Sequence, residues 1–236
     1  MGYDGTGFRG FARQAGQRTV QGVVEQALDR VLGSPVVTTG AGRTDAGVHA
    51  RHQVVSFEID DEVDPIRLAR SLNGMLGPEV VVESVRKADD TFNARFSARW
   101  RQYRYLVLNA ALADPLNRHS CWHVAEPLDL LAMNEAALGL VGEHDFASFC
   151  RGRPGGSTTR NVLTAAWSLD GPMTVFTISA NAFCHQMVRS IVGLMVDVGK
   201  GRRQAGEVES VITAGDRSRA PNMAPPQGLI LWEVGY

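Results

Sequence analysis

The chain has 236 residues, which is enough to bury a substantial core as one large domain or two small ones. Charged residues make up 21% of the sequence and apolar residues 44%, as in an ordinary soluble globular protein. The net charge of −1 excludes a global field that attracts polyanions, so any nucleic-acid site has to be a local basic patch. The sequence has neither an apolar run of transmembrane length nor a signal-peptide pattern, and we therefore expect a cytoplasmic protein.

The three cysteines are far apart in the sequence. Cys121, Cys150 and Cys184 form no C-x-x-C pair. This spacing predicts neither a disulfide framework nor a zinc site, and it indicates a reducing compartment.

Two helices are predicted in the first part of the chain. Thr19 is placed as an N-cap before apolar residues at helical spacing, and Gly33 ends that run. Asp64 followed by Pro65 is typical of an N-cap with proline at the first helical position. Apolar segments around these helices predict three strands, at residues 35–39, 53–59 and 79–85.

A loop of small residues connects the first two of these predicted strands. Its sequence is Gly40-Ala41-Gly42-Arg43-Thr44-Asp45-Ala46-Gly47-Val48-His49-Ala50. Glycines at such density suit a tight turn or a close approach of backbone to a ligand. Arg43 and Asp45 place a base and an acid at this bend, which is a common way to build a site on a rigid sheet. The alternative is a surface turn in which Asp45 caps its neighbours and Arg43 points to water.

The densest basic and aromatic segment of the sequence covers residues 94–108. Strand alternation places Arg101, Tyr103, Tyr105 and Val107 on one face of this segment. Four arginines beside four aromatic residues favour binding of a nucleic acid. The alternative is a solvated strand face on which arginine stems cover aromatic rings.

The second part of the chain repeats this alternation of strands and helices. Residues 109–117 are a plausible linker, so we predict an N-terminal half at 1–109 that carries the Asp45 loop and a C-terminal half at 110–236. Asp129 is expected to cap a helix that ends at Gly142, and residues 151–160 form a basic loop. The other predicted elements are strands at 119–124, 162–169, 174–180 and 229–234 and helices at 186–198 and 208–214. Mostly hairpin-like neighbours favour an α+β fold with an antiparallel sheet.

Most familiar catalytic patterns are absent from the sequence. His49 and His52 are three residues apart, but no further ligand lies near them in the sequence, so no metal site is predicted. No phosphate-binding glycine motif and no serine nucleophile motif occurs. Asp45 is the one prominent candidate, and the chemistry has to be one that needs few participating groups.

Five dispersed blocks together resemble the tRNA pseudouridine synthase I (TruA) family, in the order in which that family has them. Residues 41–49, Ala-Gly-Arg-Thr-Asp-Ala-Gly-Val-His, resemble its signature, and Tyr3-Asp4-Gly5-Thr6 resembles its opening loop. Residues 92–98 with 102–105 resemble its second block, residues 181–189 its C-terminal block, and residues 224–229 the start of its last strand. Five matches that span nearly the whole chain are far more specific than a single motif.

The resemblance implies a fold and an activity. The fold is α+β, with two ferredoxin-like (RRM-like) halves that share a mostly antiparallel sheet, a central catalytic cleft, and helices packed on one face. The activity is isomerisation of uridine to pseudouridine in the anticodon stem-loop of tRNA, with no cofactor and no metal. Asp45 matches the catalytic aspartate, which attacks the ribose or the base, or abstracts a proton. The family also implies a homodimer that binds tRNA.

Four further residues match positions that bind the substrate in the family. Arg43 matches an arginine that pairs with the aspartate and fills the space left by the flipped base, and Tyr103 matches a tyrosine that packs on the target base. Arg189 and Leu229 match residues that line the same pocket. Seven arginines are expected to form a stripe that contacts tRNA phosphates, namely Arg95, Arg99, Arg101, Arg151, Arg153, Arg160 and Arg189.

The sequence departs from the family pattern in two places. The family has a whole strand before the Tyr3-Asp4-Gly5 loop, whereas this sequence has only Met1 and Gly2 there, and a missing strand is therefore expected. Phe11 stands where the family usually has tryptophan. The alternative function is a noncatalytic RNA-binding protein on the same scaffold, if the missing strand has disabled the site.

Overall fold

The computed structural model describes residues 1–59, 62–151, 156–220 and 223–236. The chain forms two compact units, one made of residues 1–99 with 230–236 and the other of residues 100–229. The predicted division into halves 1–109 and 110–236 stays a prediction. Strand pairing within each unit is mostly antiparallel, and five α-helices accompany the strands in the described part of the chain, in agreement with an α+β class.

Both predicted helices of the first unit are confirmed, with their caps. Helix α1 spans Val20–Leu32, Thr19 Oγ1 accepts the N–H of Gly22, and Gly33 follows with φ of 74°. Helix α2 spans Pro65–Leu76, and the Asp64 carboxylate accepts two backbone N–H groups of its first turn. The caps bind N–H groups that have no partner inside the helix, and they therefore fix where each helix begins.

The strands of the first unit are short. They are β1 (Gly2–Tyr3), β2 (Thr39–Gly40), β3 (His49–Ala50), β4 (Val55–Ser56), β5 (Val80–Val81) and β11 (Leu229–Gly235), of which the residues from 230 on belong to this unit. The order is β5-β1-β3-β11, where only β3 and β11 run parallel, and β2 pairs with β4 separately. The two-residue strand β1, which includes Tyr3 of the opening loop, pairs with β3 and β5, so a short strand is present where a missing strand was expected.

These strands are shorter than predicted because side chains take over backbone hydrogen bonds. Asp29 accepts the N–H of Val36 at 2.7 Å, where the first predicted strand lies. The side-chain amide of Asn73 donates to the carbonyl of Val82 at 2.9 Å and accepts its N–H at 2.7 Å. Val82 therefore has no backbone groups left for a sheet ladder, and β5 ends at Val81.

The second unit contains the longest strands. They are β6 (Trp100–Asn109), β7 (Trp122–Val124), β8 (Gly142–Asp145), β9 (Thr159–Asp170) and β10 (Met173–Ala180), in the order β7-β6-β10-β9-β8 with only β6 and β7 parallel. The hairpin predicted around Asp170-Gly171-Pro172 is confirmed, with Gly171 at φ of 56°. The alternation predicted for β6 is also confirmed, since all four residues assigned to one face are buried.

Three helices belong to the second unit: α3 (Leu130–Leu138), α4 (Met187–Gly199) and α5 (Glu207–Ala214). The predicted end of α3 at Gly142 is wrong. Gly142 has φ of 111°, which a right-handed helix does not allow, and it pairs with Val162 at the start of β8. Helix α4 is buried on nearly all sides, as its apolar sequence predicts.

The expectation of no disulfide is wrong. Cys150 and Cys184 form one, with their Cα atoms 5.6 Å apart. They are 34 residues apart in sequence, and next to them the N–H of Arg151 donates to the carbonyl of His185 at 2.9 Å. Cys121 is a free, buried thiol, and burial raises its pKa.

No helix in the described ranges has the length and apolar content that a bilayer span requires.

Candidate active site

The small-residue loop of residues 41–48 lies between β2 and β3 and carries Asp45. The N–H of Val48 donates to the carbonyl of Asp45 at 3.2 Å, and Gly47 has φ of 77°, so the backbone turns directly after the carboxylate. The Asp45 side chain is half-buried, whereas the Arg43 side chain is exposed. The pairing of Arg43 with Asp45 stays a prediction.

A buried amide holds the start of this loop. Gln53 has no exposed surface, and its side chain donates to the carbonyl of Gly42 at 2.7 Å and accepts the N–H of Gly42 at 3.3 Å. One side chain thus binds both backbone groups of a residue three positions before Asp45. The backbone at Gly42 is fixed by this pair of bonds, which we call the Gln53 clamp.

A second contact holds the centre of the loop. The hydroxyl groups of Tyr3 and Thr44 share a hydrogen bond of 2.8 Å, and both residues are buried. Burial raises the pKa of Tyr3 to about 12, although the hydrogen bonds with Thr44 and Gln53 oppose this shift. Tyr3 therefore keeps its proton at neutral pH. Its hydroxyl is hydrogen-bonded to Thr44, the residue directly before Asp45.

The backbone of residues 10–11 covers the same part of the loop. The N–H of Phe11 donates to the carbonyl of Thr44 at 3.0 Å. A Cβ atom on Gly10 would lie 2.9 Å from that carbonyl oxygen and 3.3 Å from the nitrogen of Ala46, and φ of Gly10 is 97°. Only glycine fits both the conformation and the close approach.

His49 and His52 both make structural contacts with backbone groups. The Nδ1 of His49 accepts the N–H of Gly5 at 3.0 Å and so ties the opening loop to β3. His52 binds the carbonyl of Trp232 at 3.0 Å through its own Nδ1. Among the described residues, no three His, Cys, Asp or Glu side chains form a group that could hold a metal ion.

Tyr103 lies on β6 of the second unit, with 7% of its surface exposed. The edge of its ring meets Phe183 at a centroid distance of 5.0 Å and an angle of 84°. On the same strand, two residues before Tyr103, Arg101 donates to the carbonyl of Asn181 at 3.0 Å. Two blocks that the family resemblance identified separately, at 102–105 and 181–189, are therefore neighbours in this unit.

Arg189 lies in the first turn of α4 and is almost fully buried. Its Nε–H donates to the carbonyl of Ala224 at 2.8 Å, and the N–H of Ala224 returns a bond of 3.0 Å to the carbonyl of Arg189. Gln186, directly before α4, has φ of 68°, a conformation that is uncommon for a residue other than glycine. Such a conformation persists only where the surroundings enforce it, and it often marks a functional site.

The segment before Leu229 is held against β6. The hydroxyl of Tyr105 donates to the carbonyl of Pro225 at 2.8 Å, and burial raises the pKa of Tyr105. Gly228 lies directly against the Tyr105 ring, where a Cβ atom would come within 2.6 Å of it. Leu229, with 6% of its surface exposed, follows this segment as the first residue of β11.

The predicted arginine stripe is smaller than expected. Arg95, Arg99 and Arg151 are exposed, whereas Arg101 and Arg189 each expose only 9% of their surface and cannot serve as open phosphate contacts. Arg160 is half-buried, and burial lowers its pKa, although Asp145 opposes this. Arg153 lies outside the described residues.

The structure groups the predicted residues by unit, with Arg43 and Asp45 in the first and Tyr103, Arg189 and Leu229 in the second. Sequence reasoning missed the supports of the Asp45 loop, above all Gln53 and the Tyr3–Thr44 bond. Gln53 gave one signal, a long polar residue at the start of a strand-like apolar run. That signal alone does not reveal its partner, because Gly42 lies in a loop without side-chain patterning.

Comparison with known proteins gives one consistent match. The sequence profile of the family described as "tRNA pseudouridine synthase" matches residues 1–97 and 136–236. A protein from Brevibacillus brevis named tRNA pseudouridine synthase A is 41% identical over 237 residues, which cover 100% of this chain and 97% of that protein. Proteins of the same name from Streptomyces avermitilis and Frankia casuarinae are each 47% identical, over 100% of this chain and 86% and 87% of their own lengths.

Proposed function

The chain belongs to the tRNA pseudouridine synthase family and is an isomerase that converts uridine to pseudouridine in tRNA, and we propose that Asp45 is its catalytic residue. The reaction needs no second substrate. The glycosidic bond from N1 to C1′ breaks, the uracil turns, C5 bonds to C1′, the C5 proton leaves and N1 gains a proton. One carboxylate suffices because the leaving base stays bound and is also the acceptor.

The observation that supports this role is the way in which the Asp45 loop is held. The Gln53 clamp holds the backbone of Gly42, while the Tyr3 hydroxyl and the N–H of Phe11 hold the side chain and the carbonyl of Thr44, the residue directly before the carboxylate. A surface turn that only satisfied its own hydrogen bonds would need none of these buried contacts. A group fixed before the substrate arrives loses little freedom in the transition state, and this is how a nucleophile of ordinary reactivity becomes effective.

In this proposal the Asp45 carboxylate acts as a nucleophile toward the ribose or the base. Arg43 pairs with Asp45 and fills the space left by the extruded base. Tyr103 packs on the uracil, while Arg189 and Leu229 bind the same nucleotide. The burial of the last three residues fits contact with a base that has left water, more than contact with an exposed phosphate.

The decisive experiment measures tritium release from tRNA that carries uridine labelled at C5. Asp45→Asn keeps the size of the side chain and removes its charge, so turnover should be lost while tRNA affinity and melting temperature stay near wild type. Asp45→Asn that retained a tenth of wild-type turnover would remove Asp45 from the catalytic role. Wild-type protein that bound tRNA and released no tritium would instead favour the noncatalytic alternative.

Several finer features belong to the same proposal. We propose that the target uridines lie in the anticodon stem-loop, that each half is ferredoxin-like, and that the protein acts as a homodimer in the cytoplasm. Mapping pseudouridine in tRNA from cells with and without the protein tests the target. Sedimentation equilibrium tests the dimer, and a monomer that is fully active would contradict it.

A further inference from the structure

Phe96 exposes 78% of its surface. The sequence has nine phenylalanines, all within the described residues, and the other eight are buried or half-buried. Single exposed apolar side chains are common on protein surfaces, so the exposure of this ring gains meaning only from its rigid support and its charged neighbours.

The turn that carries Phe96 is closed by its own hydrogen bonds. The side-chain oxygen of Asn93 accepts the N–H groups of Arg95 at 2.9 Å and Phe96 at 3.1 Å. The N–H of Ser97 donates to the carbonyl of Asn93 at 2.9 Å, and Ser97 Oγ accepts the N–H of Asn93 at 3.0 Å. The ring is therefore presented by a defined turn.

The base of this turn is bonded to other residues of the first unit. Ala94 has no exposed surface, and its N–H donates to Ser56 Oγ at 3.0 Å. Its carbonyl accepts the hydroxyl of Tyr236 at 2.8 Å, and the Tyr236 ring packs on Phe92 at a centroid distance of 4.9 Å. Phe96 is thus held out from a rigid support, and little conformational freedom is lost when a ligand binds to it.

The charges beside the ring identify the kind of ligand. The guanidinium carbon of Arg95 lies 5.3 Å from the Phe96 centroid, in a cation–π contact, and the Arg99 side chain is exposed three residues further on. An aromatic ring with arginines around it is how proteins bind unpaired nucleotides, because the ring stacks on a base and the cations neutralise the backbone.

We propose that the Phe96 ring is a stacking platform for an unpaired base of the tRNA, with Arg95 and Arg99 beside the adjoining phosphates. This rests on the proposed function only in that tRNA is the substrate, and it does not depend on the role of Asp45. A base stacked on Phe96 is a second, non-reacting contact that helps to set which loop nucleotides the protein accepts.

Binding experiments in the Asp45→Asn background test this without turnover. Phe96→Leu keeps an apolar side chain and removes the flat ring, so tRNA affinity should fall about 30-fold, the middle of the range for one stacked base. Phe96→Trp should bind as tightly as wild type, and the fluorescence of the new indole should be quenched by tRNA. Ile66→Ala, which removes another exposed apolar side chain of the same unit (73% exposed), is the control and should bind normally.

Two results would overturn the proposal. One is normal affinity of Phe96→Leu together with an unquenched indole in Phe96→Trp. The other is a change in sedimentation of Phe96→Leu with unchanged tRNA affinity, which would mean that the ring contacts a second protein chain. Activity retained by Asp45→Asn, by contrast, would count against the catalytic proposal alone.

Discussion

Substitution of Gln53, which forms the clamp, can separate an effect on the turnover rate from an effect on the stability of the first unit. Gln53→Met keeps the length and volume of the side chain and removes both hydrogen bonds to Gly42. An unmade bond to a buried backbone group costs about 1–3 kcal/mol. One of the two bonds is long at 3.3 Å, and Gly42 is half-buried, so we expect a loss of about 2 kcal/mol and a melting temperature about 4–8 °C lower.

The effect on turnover should be larger than this loss of stability suggests. Asp45 lies three residues beyond Gly42, and a displacement of a reacting group by about 1 Å can cost about 100-fold in rate. Single-turnover tritium release at saturating tRNA should therefore slow about 10- to 100-fold, while tRNA affinity stays unchanged. Gln53→Glu supplies a matched rescue, because its protonated form has both a donor and an acceptor for Gly42. Its rate relative to wild type should be higher at about pH 6 than at about pH 8.

Asn73 provides the control, because its side chain makes the same pair of bonds to Val82. Asn73→Leu should lower the melting temperature by a similar amount, since two backbone groups again lose their partners. The single-turnover rate of the folded Asn73→Leu protein should stay within about twofold of wild type. This is a much smaller rate loss than a misplaced reacting group would cause. Equal rate losses in Gln53→Met and Asn73→Leu, or a normal rate in Gln53→Met, would refute the positioning role.

Three further predictions concern other residues. Tyr103→Phe should bind tRNA normally with some loss of rate, and Tyr103→Leu should bind about 5- to 150-fold more weakly, because one stacked base contributes about 1–3 kcal/mol. Wild-type single-turnover rates in both variants would mean that Tyr103 does not contact the base. Tyr3 keeps its proton up to about pH 12 in the folded state but loses it near pH 10 when unfolded, so the unfolding free energy of wild type should fall by up to about 3 kcal/mol between these values. Tyr3→Phe should lack this part of the fall in alkaline denaturation curves, and parallel curves would contradict the raised pKa. Arg99→Gln should lower the slope of tRNA affinity against salt concentration by about one, and an unchanged slope would exclude a phosphate contact.

Local sequence signals predicted the elements whose ends are set locally. Thr19 and Asp64 begin their helices as predicted because each cap binds N–H groups two or three residues away. The alternation of β6 was also predictable, since a long strand that is buried on one face shows a period of two.

Contacts between distant parts of the sequence were not predictable in this way. The clamp of Gly42 by Gln53 and the Cys150–Cys184 pair depend on how the chain returns on itself, which no local pattern encodes. The burial of Arg101 has the same origin, because its partner Asn181 lies 80 residues away. The motif predicted which loop carries the candidate carboxylate, but the structure was needed to find what holds that loop.

The return of the last seven residues to the first unit has a consequence for biosynthesis. Ile230 and Leu231 pair with β3, and the N–H of Arg99 donates to the carbonyl of Gly235 at 2.8 Å. On the ribosome, residues 1–99 emerge before residues 100–229, yet the strand that completes their sheet is made after both. All residues of the second unit are therefore synthesised before the first unit is complete. Until then, the N-terminal segment has an unpaired sheet edge, which is prone to aggregation. Deletion of residues 230–236 would remove the parallel partner of β3, which directly follows the Asp45 loop although it is more than 180 residues away along the sequence.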